Sequence, residues 1–422
     1  MLRSVARRLR LILFGGILLS ILGYLGMQPL TRLLAQPARP SDPTQMEAVT
    51  PDSRFVDANT RFGFKLFAQV FQRGDKNVLL SPASVAIALG MTYNGASGQT
   101  QQAMQQTLAL EGMSLEQVNQ ANQALLSQIQ NADAEVTLTI ANSLWAMAGL
   151  TFQSDFVQHN QTFYAADITQ LDFSHPDAAD RINAWVNNKT AGKIPQIVDQ
   201  INPNDILFLI NAIYFKGNWT TPFDPSNTID RPFHLADGSV KSHPFMSQHG
   251  RYSYLETDQF QAVQLPYGKK RWQMLLFLPK PNSDLTRFVQ SLTAENWQTW
   301  MQSFMASPGT IQLPRFRLEY GLSLIDALKA LGMSIAFDPN HADFAAMTDR
   351  PAYISEVQHK TFMEVNEAGT EAAAATSVTV TTRAALPQPP FQMTVDRPFF
   401  YAIQDETTGT ILFTGAIGEP EG

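Results

Sequence analysis

One segment near the C-terminus of the sequence has a residue pattern suited to a conformational switch. Positions 370, 372, 374, 376, 378 and 380 carry Thr, Ala, Ala, Thr, Val and Val, and the residues between them are more polar. This period of two is typical of a β-strand with one buried face. The first half carries no large side chain, so it could enter between two existing strands without a clash. A plain linker is the alternative, which the alternation disfavours.

The sequence carries none of the common enzyme motifs. It has no HExxH, no phosphate-binding GxxxxGK[ST] and no GxSxG nucleophile elbow. The 7 histidines are scattered without ligand spacing, and the absence of cysteine excludes disulfides, thiolate metal sites and a cysteine nucleophile. We therefore expect no enzymatic activity, no metal and no other cofactor.

The charge distribution argues against a polyanionic partner. The formal net charge is −7, and residues 1–36 hold five of the 30 basic residues, so 25 basic residues face 37 acidic ones in the remainder. Nucleic-acid binding depends on neutralising phosphates with Lys and Arg. Neither residue type occurs from Asn77 through Asp180, which argues against a heparin-type cofactor site there.

The N-terminus has the pattern of an export segment. Four arginines precede an uncharged stretch, residues 11–27, and this order sends the following chain across a membrane. Residues 1–36 are therefore a signal peptide or a retained membrane anchor, with a buried core helix as the alternative. We expect an exported protein, extracellular or periplasmic, with residues 11–27 as its membrane tether if the segment is retained.

The rest of the chain divides into a linker and one globular domain. Residues 37–54 are rich in proline and predict a flexible linker. Residues 55–422 predict a mixed α+β domain. Ser81 and Pro82 predict the N-cap and first residue of a buried helix, and Ile206–Phe215 predicts a strand covered on both faces. The alternation of Ile311–Tyr320 predicts one further strand.

Several segments together resemble one protein family. Asn366–Thr376 is similar to the reactive-loop hinge of inhibitory serpins. Five further segments match the family in order and spacing: Asn77–Ser84, Tyr93–Thr100, Asn211–Phe223, Asp396–Phe399 and Gly409–Gly415. The resemblance covers Phe55 to about Pro420. It implies an α+β serpin fold, with a helical N-terminal part, three β-sheets including a large central sheet, and an exposed reactive-centre loop at about residues 367–390.

The resemblance also implies a mechanism. Serpins are suicide inhibitors: a serine protease attacks the loop, forms a covalent acyl-enzyme, and is trapped when the freed hinge inserts into the central sheet. The target protease would be the partner of an otherwise monomeric protein. The implied hinge residues are Glu367, Gly369, Thr370, Glu371, Ala372, Ala373, Ala374, Ala375 and Thr376.

The family spacing from the hinge glycine implies that the bond between Arg383 and Ala384 is cut. Arg383 is the only basic residue between Lys360 and Arg397, and an arginine suits the acidic specificity pocket of trypsin-like proteases. An ordinary surface arginine is the alternative. A shift of one residue would favour elastase-like targets, and cysteine proteases also stay open. A non-inhibitory chaperone or carrier is disfavoured by the small hinge residues.

Other positions match family sites one by one. Ser81, Ser84, Asn211 and His359 match a buried polar cluster beneath the sheet opening, in which His359 would bond Asn211 and keep the sheet closed. Trp219 matches the place where insertion begins, and Arg315 with Glu367 matches a charged pair there. From the residues alone, His359 beside Lys360 would be a surface residue and Trp219 would be ordinary core packing.

Overall fold

The computed structural model describes residues 51–130, 133, 135–370 and 389–422. In these residues helices dominate the first part and strands the second. The helices are α1 Ser53–Phe71, α2 Pro82–Tyr93, α3 Gly98–Thr107, α4 Leu115–Gln130, α5 Ser154–Tyr164, α6 Ala178–Lys189, α7 Leu285–Gln290, α8 Ala294–Ser303 and α9 Ile325–Leu328.

The strands form two hydrogen-bonded sheets. They are β1 Asn77–Leu80, β2 Val136–Met147, β3 Asp167–Leu171, β4 Leu207–Asn218, β5 Ile229–His234, β6 Val240–Glu256, β7 Phe260–Tyr267, β8 Trp272–Pro279, β9 Met305–Pro314, β10 Phe316–Ser323, β11 Ile354–Val365, β12 Gly369–Thr370, β13 Phe391–Thr394, β14 Phe399–Asp405 and β15 Ile411–Ile417.

The central sheet has the order β10-β11-β4-β2-β3, and the short β12 also pairs with β4. Strands β11 and β4 are neighbours and run parallel, whereas β10–β11 and β4–β2 are antiparallel. Parallel neighbours cannot be joined by a tight turn, so β4 and β11 come from distant parts of the chain. We call the β11–β4 junction the seam.

The second sheet has nine strands in the order β1-β15-β14-β8-β7-β6-β9-β13, with β5 added beside β6. The resemblance implies two smaller sheets here in place of one. They are continuous because β6 is long: its first part pairs with β5, its middle with β9 and its end with β7.

The main core lies between the sheets and the helices. Helix α2 is at its centre, since every one of its residues is buried, as its apolar sequence predicts. A second buried cluster covers the other face of the central sheet, where α6 contributes Ile182 and Val186. The seam is therefore enclosed on both faces.

Two sequence expectations differ from the structure. The predicted strand Ile311–Tyr320 is two strands, β9 and β10, which belong to different sheets and meet at Arg315. The apolar positions change phase at the break, from Ile311 and Leu313 to Phe316 and Leu318, so the pattern itself carries a signal of the break that a single strand does not explain. Helix α1 begins at Ser53, inside the expected linker, where the Asp52 side chain accepts a hydrogen bond from the N–H of Arg54.

The predicted export segment, residues 1–36, lies outside the described residues, and so do residues 37–50 of the predicted linker. Within the part of the chain that the structure describes, none of the helices is long and apolar enough to cross a membrane.

Candidate functional site

Part of the predicted site lies outside the described residues. This holds for Arg383 and Ala384 and for the distal hinge residues Glu371, Ala372, Ala373, Ala374, Ala375 and Thr376. The proximal hinge and all the other predicted positions are described. They fall into two groups along the seam, one at its open end and one in its middle.

The open end is where β12 meets β4. The parallel seam runs from Ile354 beside Leu207 to Phe362 beside Tyr214 and stops there. Farther along β4, Thr370 pairs with Gly217 and Gly369 with Asn218, in the antiparallel direction. The chain thus enters the space between β11 and β4 at the point where their ladder has ended.

Gly369 is required by this close approach. Its φ is +146°, and a Cβ atom placed on it would lie 2.1 Å from the Gly217 carbonyl oxygen and 2.6 Å from the Asn218 Cα. Backbone atoms cannot yield as a flexible side chain can, so any larger residue would push β12 away from β4.

Thr370 is fully buried beneath the aromatic side of this entry. Its hydroxyl lies 3.0 Å from the hydroxyl of Tyr267, whose ring stacks on Trp219 with centroids 4.2 Å apart. The Trp219 indole N–H donates to the Asn366 carbonyl at 2.9 Å, and its backbone N–H donates to the Ala368 carbonyl at 2.9 Å. Trp219 therefore holds both sides of the turn that leads into β12.

Glu367 is the charged member of the same turn. Its carboxylate accepts hydrogen bonds from the Arg315 guanidinium and the Thr228 hydroxyl. Burial alone would raise the pKa of Glu367, but these hydrogen bonds outweigh it and hold the pKa below its usual value. The Glu367 side chain is 9% exposed and that of Arg315 is 40% exposed. We call Trp219, Arg315, Glu367, Gly369 and Thr370 the hinge site.

The middle of the seam carries the second group. His359 on β11 and Asn211 on β4 are register partners, and both are fully buried. The His359 Nδ1 lies in hydrogen-bond contact with the Asn211 Oδ1, and its Nε2 accepts the backbone N–H of Ser81 at 3.1 Å. An acceptor Nε2 requires the neutral ring, with the proton on Nδ1.

Burial lowers the pKa of His359 to about 3. The imidazole is thus neutral at physiological pH, and protonating it would turn the acceptor for Ser81 into a second donor. The cluster is a neutral hydrogen-bond network that joins β11 to the start of α2 and to β4.

Asn211 extends the network to the other side. Its amide donates to the Ser84 carbonyl at 3.1 Å and also to the side-chain oxygens of Ser84 and Asn142. We call Ser81, Ser84, Asn211 and His359 the inner polar cluster. Ser81 is the N-cap residue of α2 and Pro82 its first residue, as the sequence predicts. Ser81 takes part in the cluster through its backbone, because its hydroxyl makes no capping hydrogen bond and has no hydrogen-bond partner within the described residues.

Three contributors to these groups were missed from the sequence. Asn142 lies opposite Asn211 in β2, and its only signal in the sequence is an amide side chain among the mostly apolar residues of Val136–Met147. Thr228 and Tyr267 contact the hinge from loops and strands far from it in sequence, so no local pattern indicates them.

No group of three or more His, Asp or Glu side chains among residues 51–130, 133, 135–370 and 389–422 could hold a metal ion. What the described groups can do is structural: one admits the start of a strand, and the other ties the two strands that this strand would have to separate.

Comparison with known proteins agrees with this architecture. The family described as Serpin (serine protease inhibitor) matches residues 57–420. Serpin B6 of Macaca fascicularis is 36% identical over 374 residues, which are 86% of this chain and 99% of that protein. Human leukocyte elastase inhibitor is 34% identical over 377 residues, 86% of this chain and 98% of that protein.

Solved structures give the same result. The thermophilic serpin tengpin in its native state is 31% identical and has a TM-score of 0.81, covering 88% of this chain and 95% of the tengpin chain. Human thyroxine-binding globulin, with thyroxine bound, is 28% identical with a TM-score of 0.80 over 88% of this chain and 99% of its own. From its fold, its sequence and the arrangement of its seam, this chain belongs to the serpin family of serine protease inhibitors.

Proposed function

We propose that this protein is a suicide inhibitor of trypsin-like serine proteases, that it presents the Arg383–Ala384 bond, and that it is not itself an enzyme. The protease serine hydroxyl attacks the carbonyl carbon of Arg383, the bond to the Ala384 nitrogen breaks, and the new amine takes a proton and leaves. The chain before Arg383 is then free to insert into the seam while it carries the acyl-enzyme.

The observation that carries the proposal is the register of β12. Thr370 already pairs with Gly217 at the open end of the seam, in the direction an inserted strand must run. If that register continued to the start of β4 at Leu207, the residue beside Leu207 would be Val380, and Thr376 would lie beside Asn211. The segment from Thr370 to Val380 is thus long enough to fill the seam.

The energy of insertion is sufficient for trapping. The parallel β11–β4 ladder would be lost, but two antiparallel ladders would replace it. With roughly 0.5–1.5 kcal/mol for each inserted residue, the gain is on the order of 10 kcal/mol. A whole domain is stable by about 5–15 kcal/mol, so a tethered protease could be deformed.

The leaving side has its own anchor. Phe391 in β13 stacks on Tyr254 with ring centroids 3.8 Å apart, and β13 pairs with β9 in the second sheet. After cleavage the two ends would therefore separate: one moves into the central sheet and the other stays at β9.

Trypsin is the direct test. Purified protein mixed with trypsin should give a covalent complex that survives SDS, and mass spectrometry of the released C-terminal peptide should show Ala384 at its start. Arg383→Leu should lose trypsin trapping by more than about tenfold, because the acidic pocket no longer receives a cation. Complete turnover of wild-type protein without a complex would contradict the proposal.

An elastase-like target is the second candidate. It is favoured by the similarity to a protein named leukocyte elastase inhibitor. A peptide beginning one residue away from Ala384, together with a complex formed with elastase in place of trypsin, would select it.

We also propose that the protein is exported and that its N-terminal segment acts as a signal peptide or membrane anchor. Four arginines before an uncharged stretch support this. The N-terminal residue of the protein isolated from its own cells distinguishes cleavage from retention.

A further inference from the structure

The outer face of the seam carries an aromatic pair at its last rung. Tyr214 on β4 and Phe362 on β11 are register partners, 5% and 4% exposed, with ring centroids 6.2 Å apart. They face α6, on the opposite side of the sheet from His359 and Asn211. The β11–β4 ladder ends at this pair. A strand that enters from the open end must therefore separate Tyr214 from Phe362 before any other register pair of the seam.

One cation lies over both rings of the pair. The Lys193 Nζ is 5.9 Å from the centroid of Tyr214 and 5.9 Å from that of Phe362. A cation within about 6 Å of an aromatic face is attracted by the ring quadrupole. Lys193 is therefore attracted to one ring on each side of the seam.

The end of α6 positions this lysine. Ala191 and Gly192 both have positive φ, +51° and +81°, and the Gly192 N–H donates to the Asn187 carbonyl at 2.8 Å. This left-handed turn stops the helix and sends the chain over the sheet. The next residue, Ile194, is fully buried and fixes the segment there.

Insertion of a strand would break this arrangement. Neighbouring strands lie about 4.8 Å apart, so a new strand between β11 and β4 would move Tyr214 and Phe362 about that much farther apart. Lys193 could then stay over one ring but not over both. The contact is available only while the seam is closed.

We propose that Lys193 is a positioning residue that holds the seam closed by bridging Tyr214 and Phe362, and so slows strand entry at the first rung. This deepens the proposed function, since it concerns the same insertion. We call the contact of Lys193 with the two rings the lock. It lies on the outer face of the seam and acts in addition to the neutral hydrogen-bond network on the inner face.

Arg317 provides a matched control. Its guanidinium carbon is 5.1 Å from the same Phe362 ring, but it lies on β10, which pairs with β11 along its length. Strands β10 and β11 move together when the seam opens, so the contact of Arg317 with Phe362 does not change. Both cations lie over the Phe362 ring. Of the two, only Lys193 also lies over a ring on β4, the strand across the seam.

The test uses the full chain and a synthetic peptide with the sequence of residues 370–382, which can enter the seam without any protease. We expect Lys193→Gln and Lys193→Met to take up the peptide about two- to fivefold faster than wild type, the range that the loss of an exposed cation–π contact gives. Arg317→Gln should match wild type.

Three results would overturn the lock: equal rates in Lys193 variants and wild type, equal acceleration in Arg317→Gln, or acceleration in Lys193→Gln without Lys193→Met, which would assign the effect to stem packing. Failure of the proposed function is separable from failure of the lock. If wild type traps no trypsin yet Lys193 variants take up peptide faster, the lock stands and the inhibitor proposal fails. If wild type traps trypsin but the Lys193 variants take up the peptide at the wild-type rate, the inhibitor proposal stands and the proposed role of Lys193 fails.

Discussion

The hinge site and the inner polar cluster lie on the same seam but are built from opposite kinds of contact. The hinge site uses a partly exposed ion pair, one aromatic stack and backbone hydrogen bonds from Trp219. The inner polar cluster is fully buried and uncharged, with His359 donating on one side and accepting on the other. The hinge site thus has one partly exposed member, Arg315, whereas every member of the inner polar cluster is sealed from solvent.

A sheet built in this way can admit a strand at one end and still be stable before the strand inserts. Partly exposed ion pairs contribute little, about 0–1 kcal/mol, so the Arg315–Glu367 pair of the hinge site can rearrange at low cost. Breaking a buried hydrogen-bond network leaves unpaired polar groups, at about 1–3 kcal/mol each. We infer that the hinge site sets where insertion starts and that the inner polar cluster resists its progress.

A charged side chain at Thr370 should have the strongest effect on trapping. Thr370→Arg would place a charged side chain where Thr370 is fully buried against Tyr267. Burying an unpaired charge costs several kcal/mol, so trapping of trypsin should fall by more than about tenfold and cleavage should continue as with a substrate. The ratio of SDS-stable complex to cleaved protein measures this.

Thr370→Ser is the matched control, because it keeps the hydroxyl and adds no volume; it should trap nearly as well as wild type. Efficient trapping by Thr370→Arg would show that β12 is not the start of the inserted strand.

A second prediction uses pH to separate the two groups. His359 has its pKa lowered to about 3 by burial, against about 6.5 in an unfolded chain. His359 is neutral in the folded protein. Its contribution to the free energy of unfolding is therefore fully present above about pH 6.5 and is lost as pH falls toward 3. The slope from this group is at most about 1.4 kcal/mol per pH unit. Glu367, with its pKa held below its usual value, should add no pH dependence above about pH 5, where its stabilisation is fully present.

Urea unfolding of wild type and His359→Gln between pH 8 and pH 5 measures the slope. His243, whose pKa is also lowered by burial, adds a slope of the same sign in both proteins, so the difference between them isolates His359. Identical slopes would mean that the imidazole is not held neutral at the seam.

Removing the Arg315–Glu367 ion pair should have the smallest effect. Arg315→Gln and Glu367→Gln should each lower the free energy of unfolding by about 1 kcal/mol or less, because Arg315 is 40% exposed and Thr228 still bonds residue 367. The double variant gives the coupling energy of the pair. A coupling above about 2 kcal/mol would make the hinge site as rigid as the inner polar cluster.

Much of the fold follows from local pattern. Helix α2 begins at Pro82 and is buried throughout, and β4 is covered on both faces, as the sequence predicts. The break at Arg315 has a local signal, because the apolar positions shift by one residue there and Pro314 precedes it, but the assignment of β9 and β10 to different sheets has none. Pairing partners are likewise absent from a local pattern.

The candidate site divides in the same way. The small residues after Gly369 and their alternation can be read directly from the sequence, and so can the polar identity of His359 and Asn211. That Ser81 and His359 bond each other could not be read from local spacing, since 278 residues separate them. Asn142 and Lys193 were missed for the same reason, as both act only through strands brought beside them.

The sequence alone is enough to predict the kinds of elements and a segment small enough to enter a sheet, because these depend on propensity and periodicity, which act over a few residues. The family resemblance rests in the same way on motifs that can be read directly. Three features required the folded chain: β11 lies directly against β4, Thr370 already pairs with Gly217, and His359 is buried and neutral. Each of these depends on parallel pairing and burial between distant segments, for which one-dimensional pattern carries no signal.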